Sequence, residues 1–408
     1  MMQRHEIQWF RRALVSLSLV AFFGVLMRYK MAFSLPFLDQ KHMQEAHSHF
    51  AFYGWITQML YLLIYQYLLK FKPQTALQIY PKIINLNYIL ALMMLVGFLW
   101  GGYFWLTIGI STLSLSLSFV MFFLVYRDLK GIKDLAKPWL LGGLFFAMFS
   151  ALGIFSLSYM MASGHIHQQW YLASTYYYLH FQYNGFFLMS CIGWLIAQLT
   201  SKGISLTPKQ NRRLFRLMFW GCLLGYGLSV LWLDLPWWLF IIVLIASLTQ
   251  TLGAFQILTW VRRNWHLVKK HFSPLYRWML CYAGVAFAIK IGLQLGSNSP
   301  AISQFAFGFR NIVIAYLHLI LLMCISVFLL AQIFSKGYFK ATQLQRYSII
   351  SFLIFVFLNE LILGSMGIFS IRYVSIPYAA EALVIISLGI LLSVLMILKS
   401  TYHLNKRD

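Results

Sequence analysis

The sequence predicts an all-α fold, a polytopic membrane bundle of about twelve transmembrane helices, and three observations predict it. The 408-residue chain is 61% hydrophobic and 10% charged. Apolar runs of about 20 residues recur from end to end, long enough to cross a hydrocarbon core of about 30 Å. The basic residues cluster in alternate connections. The predicted spans are 13–30, 47–69, 82–100, 104–126, 138–160, 171–199, 214–233, 237–260, 275–293, 311–334, 347–369 and 378–398. No soluble domain, low-complexity linker or self-folding loop interrupts them, so residues 1–408 read as a single integral membrane domain.

The first span follows a basic stretch, Met1 to Arg12, that resembles the start of a signal peptide. The apolar run after it lacks a small-residue cleavage site and is kept as a helix. The second opens on Ala46-His47-Ser48-His49-Phe50-Ala51-Phe52-Tyr53-Gly54-Trp55 and runs to Lys70 and Lys72. The third and fourth lead to Arg127, Lys130, Lys133 and Lys137. The fifth ends in an outer loop, about 161–170, containing Gly164-His165-Ile166-His167, where a solvated or adventitious metal-binding pair is expected. The sixth holds Leu179-His180-Phe181-Gln182-Tyr183-Asn184-Gly185 and leads to Lys202, Lys209, Arg212, Arg213 and Arg216. The seventh contains no His and stops at Leu233-Asp234-Leu235-Pro236, with Asp234 a cap or turn residue. The eighth runs into Arg262, Arg263, Lys269, Lys270 and Arg277, and the ninth into an outer connection at about 294–310. The tenth carries Ala315-Tyr316-Leu317-His318-Leu319 and ends near Lys336, Lys340 and Arg346. Glu360 lies near the middle of the eleventh span; Glu381 is close to the outer end of the twelfth, which finishes at Lys399, Lys406 and Arg407.

With the N-terminus in the cytoplasm, these basic residues and Arg4, Arg11, Arg12 and Lys82 all fall inside. Of the 32 Lys and Arg, only Arg28, Lys30, Lys41, Lys290, Arg310 and Arg372 are left outside. One miscounted helix would invert every later loop, so the bias predicts cytoplasmic termini at a bacterial-type inner membrane. The net charge of +23 then sits in short loops against anionic headgroups, which makes the lipid bilayer the partner and excludes nucleic acid. Cys191, Cys222, Cys281 and Cys324 lie singly in apolar runs, with no disulfide framework or thiolate metal site implied. No fixed period argues for a transporter's inverted repeats.

Three spans therefore place a histidine in the outer half of an apolar run, and imidazole is both costly to bury in lipid and the commonest metal ligand. Counting at 1.5 Å per residue, His49 sits roughly one turn below the outer surface, His180 roughly 13 Å and His318 roughly 10 Å in. His180 shares a helical face with Tyr176, Tyr177, Tyr183, Asn184 and Phe187, an aromatic face with few polar groups that suits a ring-shaped cofactor or a proton path. Each histidine taken alone also fits plain hydrogen-bonded packing between helices; their convergence in depth points to a cofactor. His5, His42, His266, His271 and His403 fall in loops or at interfaces.

Twelve spans with histidines at the outer ends of the second, sixth and tenth resemble the catalytic subunit of the haem-copper oxidase and nitric oxide reductase superfamily. The stretch His47 to Trp55 is similar to that family's second-helix motif, His180 to Phe187 to its sixth-helix motif offset by one residue, and Tyr316-Leu317-His318 to its tenth-helix H-x-H with the first His replaced. The plan also resembles the twelve-helix membrane haem-copper proteins of nitric oxide tolerance. The resemblance implies a low-spin haem b whose iron is held by His318 and one of His47 and His49, with His47 favoured by motif spacing. It implies Arg372 and Arg310 as partners of the haem propionates. His180, with Tyr183, would be the catalytic pair and a second-metal ligand. The seventh span lacks the family's two further histidines and Tyr316 replaces the high-spin haem ligand, so copper and oxygen reduction with proton pumping are not expected. Electron transfer or chemistry on a small gas such as NO or O2 is the implied activity, with other respiratory subunits or a quinol or cytochrome donor as partners. The alternative is a cofactor-free transporter or assembly factor on the same scaffold.

Overall fold

The computed structural model describes residues 2–370 and 373–404. It is all-helical among the described residues, apart from one isolated bridge between Phe339 and Leu404. Nine helices among the described residues are long and apolar enough to cross a membrane: His5–Ala32, Gln74–Gly101, Trp105–Asp128, Lys137–Ser163, Trp237–Arg263, Pro274–Gly296, Arg310–Ser335, Gln343–Ser370 and Ala379–Ser400. They mark a multi-pass, membrane-embedded protein.

The second and sixth predicted spans are absent from the nine, although both form uninterrupted helices, 40–68 and 168–200. Their sequences carry the tyrosines, glutamines, Asn184 and serines that lower apolarity, and of these Gln58, Gln66, Gln182, Asn184 and Ser190 are buried. The seventh departs most from expectation. Its α-helix opens earlier, at Pro208, under a capping box in which the Thr207 hydroxyl accepts from the Gln210 N–H, and it gives way after Leu224 to a 3-10 segment, Gly225–Val230. The outer connection expected as a loop at about 294–310 contains a short helix, Pro300–Gly308.

Three helices share a distortion. Each widens from α to π geometry for about two turns, at Ala51–Thr57, Phe181–Phe187 and Leu319–Ser326, and each widening starts directly after His180 or His318, or two residues after His49. A π-turn adds one residue to the helix and frees backbone carbonyls, which need other partners. The carbonyl of Tyr53 accepts from Asn87 Nδ2 at 3.0 Å, and that of Leu321 from the Ser326 hydroxyl at 2.7 Å. Close approach enforces glycine in the first two turns: a Cβ on Gly54 would come within 2.6 Å of the Phe50 ring, and one on Gly185 within 2.4 Å of the Phe146 Cβ.

The chain groups into two compact units, interleaved in sequence. The first comprises residues 1–117, 278–280 and 317–408; within it the first helix packs on Ala379–Ser400, which packs on Gln343–Ser370, while 40–68 lies against the first helix and Ile79–Gly101. The second comprises residues 118–277 and 281–316; within it Lys137–Phe149 packs along 181–200, and Pro208–Leu224 against Trp237–Arg263.

Candidate functional site

Asp39 starts the 40–68 helix. Its carboxylate accepts from the His42 N–H at 2.8 Å, and that hydrogen bond holds the exposed carboxyl below the usual range. Two turns on, the structure separates His47 from His49. The His47 Nδ1 lies 3.0 Å from the carbonyl oxygen of Val20 on the first helix. A carbonyl only accepts, so Nδ1 carries the proton and Nε2 presents its lone pair. That nitrogen has no hydrogen-bond partner among the described residues, and the side chain is half-buried. A fixed Nδ1–H and an open Nε2 is the arrangement that orients an imidazole for a metal. His49 faces another way: it stacks on Phe98 with ring centroids 4.4 Å apart, and its Nε2 is 2.7 Å from the Tyr103 hydroxyl.

Val20, Gly24 and Arg28 follow one another at four-residue steps along one face of the first helix. Gly24 lies against His47; a Cβ there would stand 3.6 Å from the imidazole. Arg28 is electrostatically coupled to His47 and to Glu360, whose carboxylate accepts from Asn359 Nδ2 at 3.1 Å. The charge pattern leaves Arg28 among the outside residues; its position beside His47 becomes visible only through the packing of the first helix on 40–68.

His318 ends the α-helical part of its span, just before the π-turn. Every residue from 311 to 318 is half-buried and none is buried, so this stretch of the helix is loosely surrounded. Eight residues beyond His318, the Ser326 hydroxyl accepts a 2.7 Å hydrogen bond from the Nε1 of Trp55, itself eight residues beyond His47. The two helices that carry His47 and His318 are thus in direct contact within the first unit.

In the second unit, His180 is 2% exposed and engaged at both nitrogens. Its Nε2 is 2.9 Å from the Cys222 carbonyl and therefore donates; its Nδ1 accepts from Asn184 Nδ2 and from the Ser229 hydroxyl, each at 3.3 Å. The Tyr183 ring centroid is 6.4 Å from that of His180 and 6.1 Å from that of Tyr316, edge-on to both. Cys222, His180 and Ser229 are thus joined by hydrogen bonds, with the rings of Tyr183 and Tyr316 beside them. The structure brings His180 and Tyr183 together as the spacing predicts, with partners in Cys222 and Ser229 that no motif announced.

Lys290 corrects the charge count of the sequence. Placed outside by its position near the end of a predicted span, it is 0% exposed within Pro274–Gly296. Its ammonium donates to Gln294 Oε1, and Gln294 Nε2 donates to Gln250 Oε1 at 2.6 Å. It is also close enough to His180 and Cys222 to act on both electrostatically. A buried ammonium in a helix interior costs about 2.5–3.5 kcal/mol on insertion scales, which is why such residues concentrate at functional positions.

Arg310 is exposed at the start of its helix, and Arg372 lies outside the described residues. His165 and His167 are exposed; the His165 ring bonds back to the Ser163 carbonyl at 2.9 Å. Among the described residues no three His, Cys, Asp or Glu converge as a metal site would need. No protein-family model matches this sequence, and no curated protein matches it.

Proposed function

We propose that the protein is a twelve-helix membrane haem protein of a bacterial-type inner membrane, with both termini cytoplasmic, resembling a degenerate haem-copper oxidase subunit I. The nine apolar helices together with 40–68, 168–200 and 208–230 make up the twelve. A haem of b type would be held by His47 and His318, from the second and tenth spans. The observation that carries this is the open Nε2 of His47, its other nitrogen fixed by the Val20 carbonyl at 3.0 Å. The Trp55–Ser326 hydrogen bond supports it, because it joins the two helices at residues that each lie eight positions beyond the histidine. Arg28 supplies positive charge beside His47 suited to a propionate, joining Arg310 and Arg372 as anion partners.

A bis-imidazole haem supplies one-electron transfer when bound. The chain's own contribution is to hold the His47 tautomer through the Val20 carbonyl and to keep the Arg28 charge beside it. His180 and Tyr183 are the residues proposed to meet a small gas such as NO, with a quinol or cytochrome as electron source. His180 already uses both nitrogens, which supports a protein without a firmly held copper. The buried Lys290–Gln294–Gln250 chain favours a second reading, a cofactor-free transporter with a polar site in the second unit. Colour separates the two. Detergent-purified protein should show a Soret band and a reduced α band; a colourless, stably folded sample from haem-replete cells would overturn the haem reading and leave the transporter.

A further inference from the structure

The helix Pro208–Leu224 carries four basic residues in its first half, Lys209, Arg212, Arg213 and Arg216, all of them exposed. At about 100° per residue they fall within one arc of about 100°, so their charges stand on a single face. Like charges at this spacing repel one another. The acids of the second unit do not relieve them. Asp128 pairs with Arg127 at 3.1 Å, Asp134 accepts from the Ala136 N–H at 2.8 Å, and Asp234 is exposed beyond the far end of the same span. The face is therefore built to meet negative charge from another molecule.

The four residues line an open cleft of about 740 Å³ between this helix and Trp237–Arg263. Its lining changes character along the helix. Lys209 to Arg216 covers about 10 Å of rise, and the next turn, about 6 Å more, brings Leu217 and Trp220 into the same wall. Thr249 lines the cleft from the second helix, where Ile245 and Leu252 share its face and are 56% and 44% exposed. Trp220 is itself 52% exposed. A soluble phosphate would use the charged end alone. The apolar end lies within a membrane-spanning helix pair, where the matching chemistry is an acyl chain, and a tryptophan below a cluster of cations is how a chain marks the boundary between headgroups and hydrocarbon.

We propose that this cleft binds one anionic phospholipid of the phosphatidylglycerol class. Its phosphodiester is held by Arg212, Arg213 and Arg216, whose guanidinium forks suit paired phosphate oxygens, and its acyl chains lie along Leu217, Trp220 and the exposed side of the second helix. Such a site is more than the attraction of basic loops to an anionic leaflet, because diffuse charge requires no cleft and selects no single lipid. The inference stands whether or not the protein binds haem.

Native mass spectrometry of the intact protein in detergent, titrated with dioleoylphosphatidylglycerol or dioleoylphosphatidylcholine, tests it. A Lys or Arg beside an anionic headgroup contributes about fivefold in affinity, so the wild type should take up one phosphatidylglycerol about tenfold or more tightly than phosphatidylcholine, and Arg212→Gln/Arg213→Gln/Arg216→Gln should weaken that uptake about a hundredfold. Arg262→Gln/Arg263→Gln/Lys270→Gln removes as much charge from exposed positions outside the lining and should leave it nearly unchanged. Trp220→Ala, at an exposed position where truncation opens no core cavity, should also weaken the lipid, and excess inorganic phosphate should not displace it. Equal uptake of the two lipids overturns the proposal, since it describes an ordinary lipid annulus. Equal losses in the two triple variants overturn it as diffuse charge, and displacement by phosphate with Trp220→Ala silent overturns it as a site for the headgroup alone. The wild-type preference, the phosphate competition and Trp220→Ala decide the matter even where the arginine variant fails to fold.

Discussion

At the scale of single residues, the two neighbouring histidines of the second span should behave differently. His47 offers an open Nε2 and His49 a ring already stacked on Phe98 and bonded to Tyr103. His47→Ala and His318→Ala should therefore each abolish the low-spin haem spectrum, and His49→Ala should leave its band positions unchanged. An unaltered spectrum in His318→Ala protein would remove the proposed ligation. The motif spacing pointed toward His47 but could not exclude His49, because the choice depends on which neighbouring helix each ring meets. Lys290 shows the same limit. A lone lysine near the end of an apolar run reads as a side chain reaching for headgroups; only the glutamines Gln294 and Gln250, one from the same helix and one from another, reveal that it stays inside.

At the scale of elements, long apolar runs made the helices legible, and proline and capping residues set several of their starts. The π-turns were not legible. An i to i+5 hydrogen bond leaves no period in the sequence, and the glycines that permit two of the turns look like any others. Gly185 provides a direct check. A Cβ there would overlap the Phe146 Cβ, so Gly185→Ala should destabilise by about 1–3 kcal/mol as an overpacked core does, seen as a lower midpoint in thermal unfolding in detergent. Gly164→Ala, in open space though at positive φ, should cost less. The Asp39 cap should respond to acid. Its depressed carboxyl contributes above the ordinary carboxylate pKa and is lost as pH falls through the folded value. Asp39→Asn keeps an accepting oxygen at every pH, so the protection of the His42 amide relative to its intrinsic exchange rate should fall under acid in the wild type but not in the variant.

At the scale of the whole molecule, the charge bias predicts an orientation that reporter fusions can read. Fusions after about residue 75, 132 or 205 should report cytoplasmic, and after about 102, 165 or 300 external. One reversed internal reporter would break the helix numbering on which the proposed haem site depends. Reassigning Lys290 to the interior leaves fewer basic residues outside, so it sharpens the bias. Metal analysis gives a second whole-molecule check: iron near one per chain and copper well below it, with no cyanide-sensitive oxygen uptake. One copper per chain would show that ligands complete a site around His180. The division into two units had no counterpart in the sequence, because each is assembled from segments far apart in the chain.

The three π-turns also define an unusual experiment in genetics. An extra residue in a helix turns everything beyond it by about 100° relative to everything before it. Deleting one residue from Phe181–Phe187 would restore a regular helix and swing its two halves back into ordinary phase, with almost no change in composition, length or apolarity. His180 would then face a different neighbour while every chemical group of the protein remained present. Loss of function in such a deletion, regained when a residue is reinserted anywhere within the same seven, would show that the angle between the two halves of the helix is what selection holds.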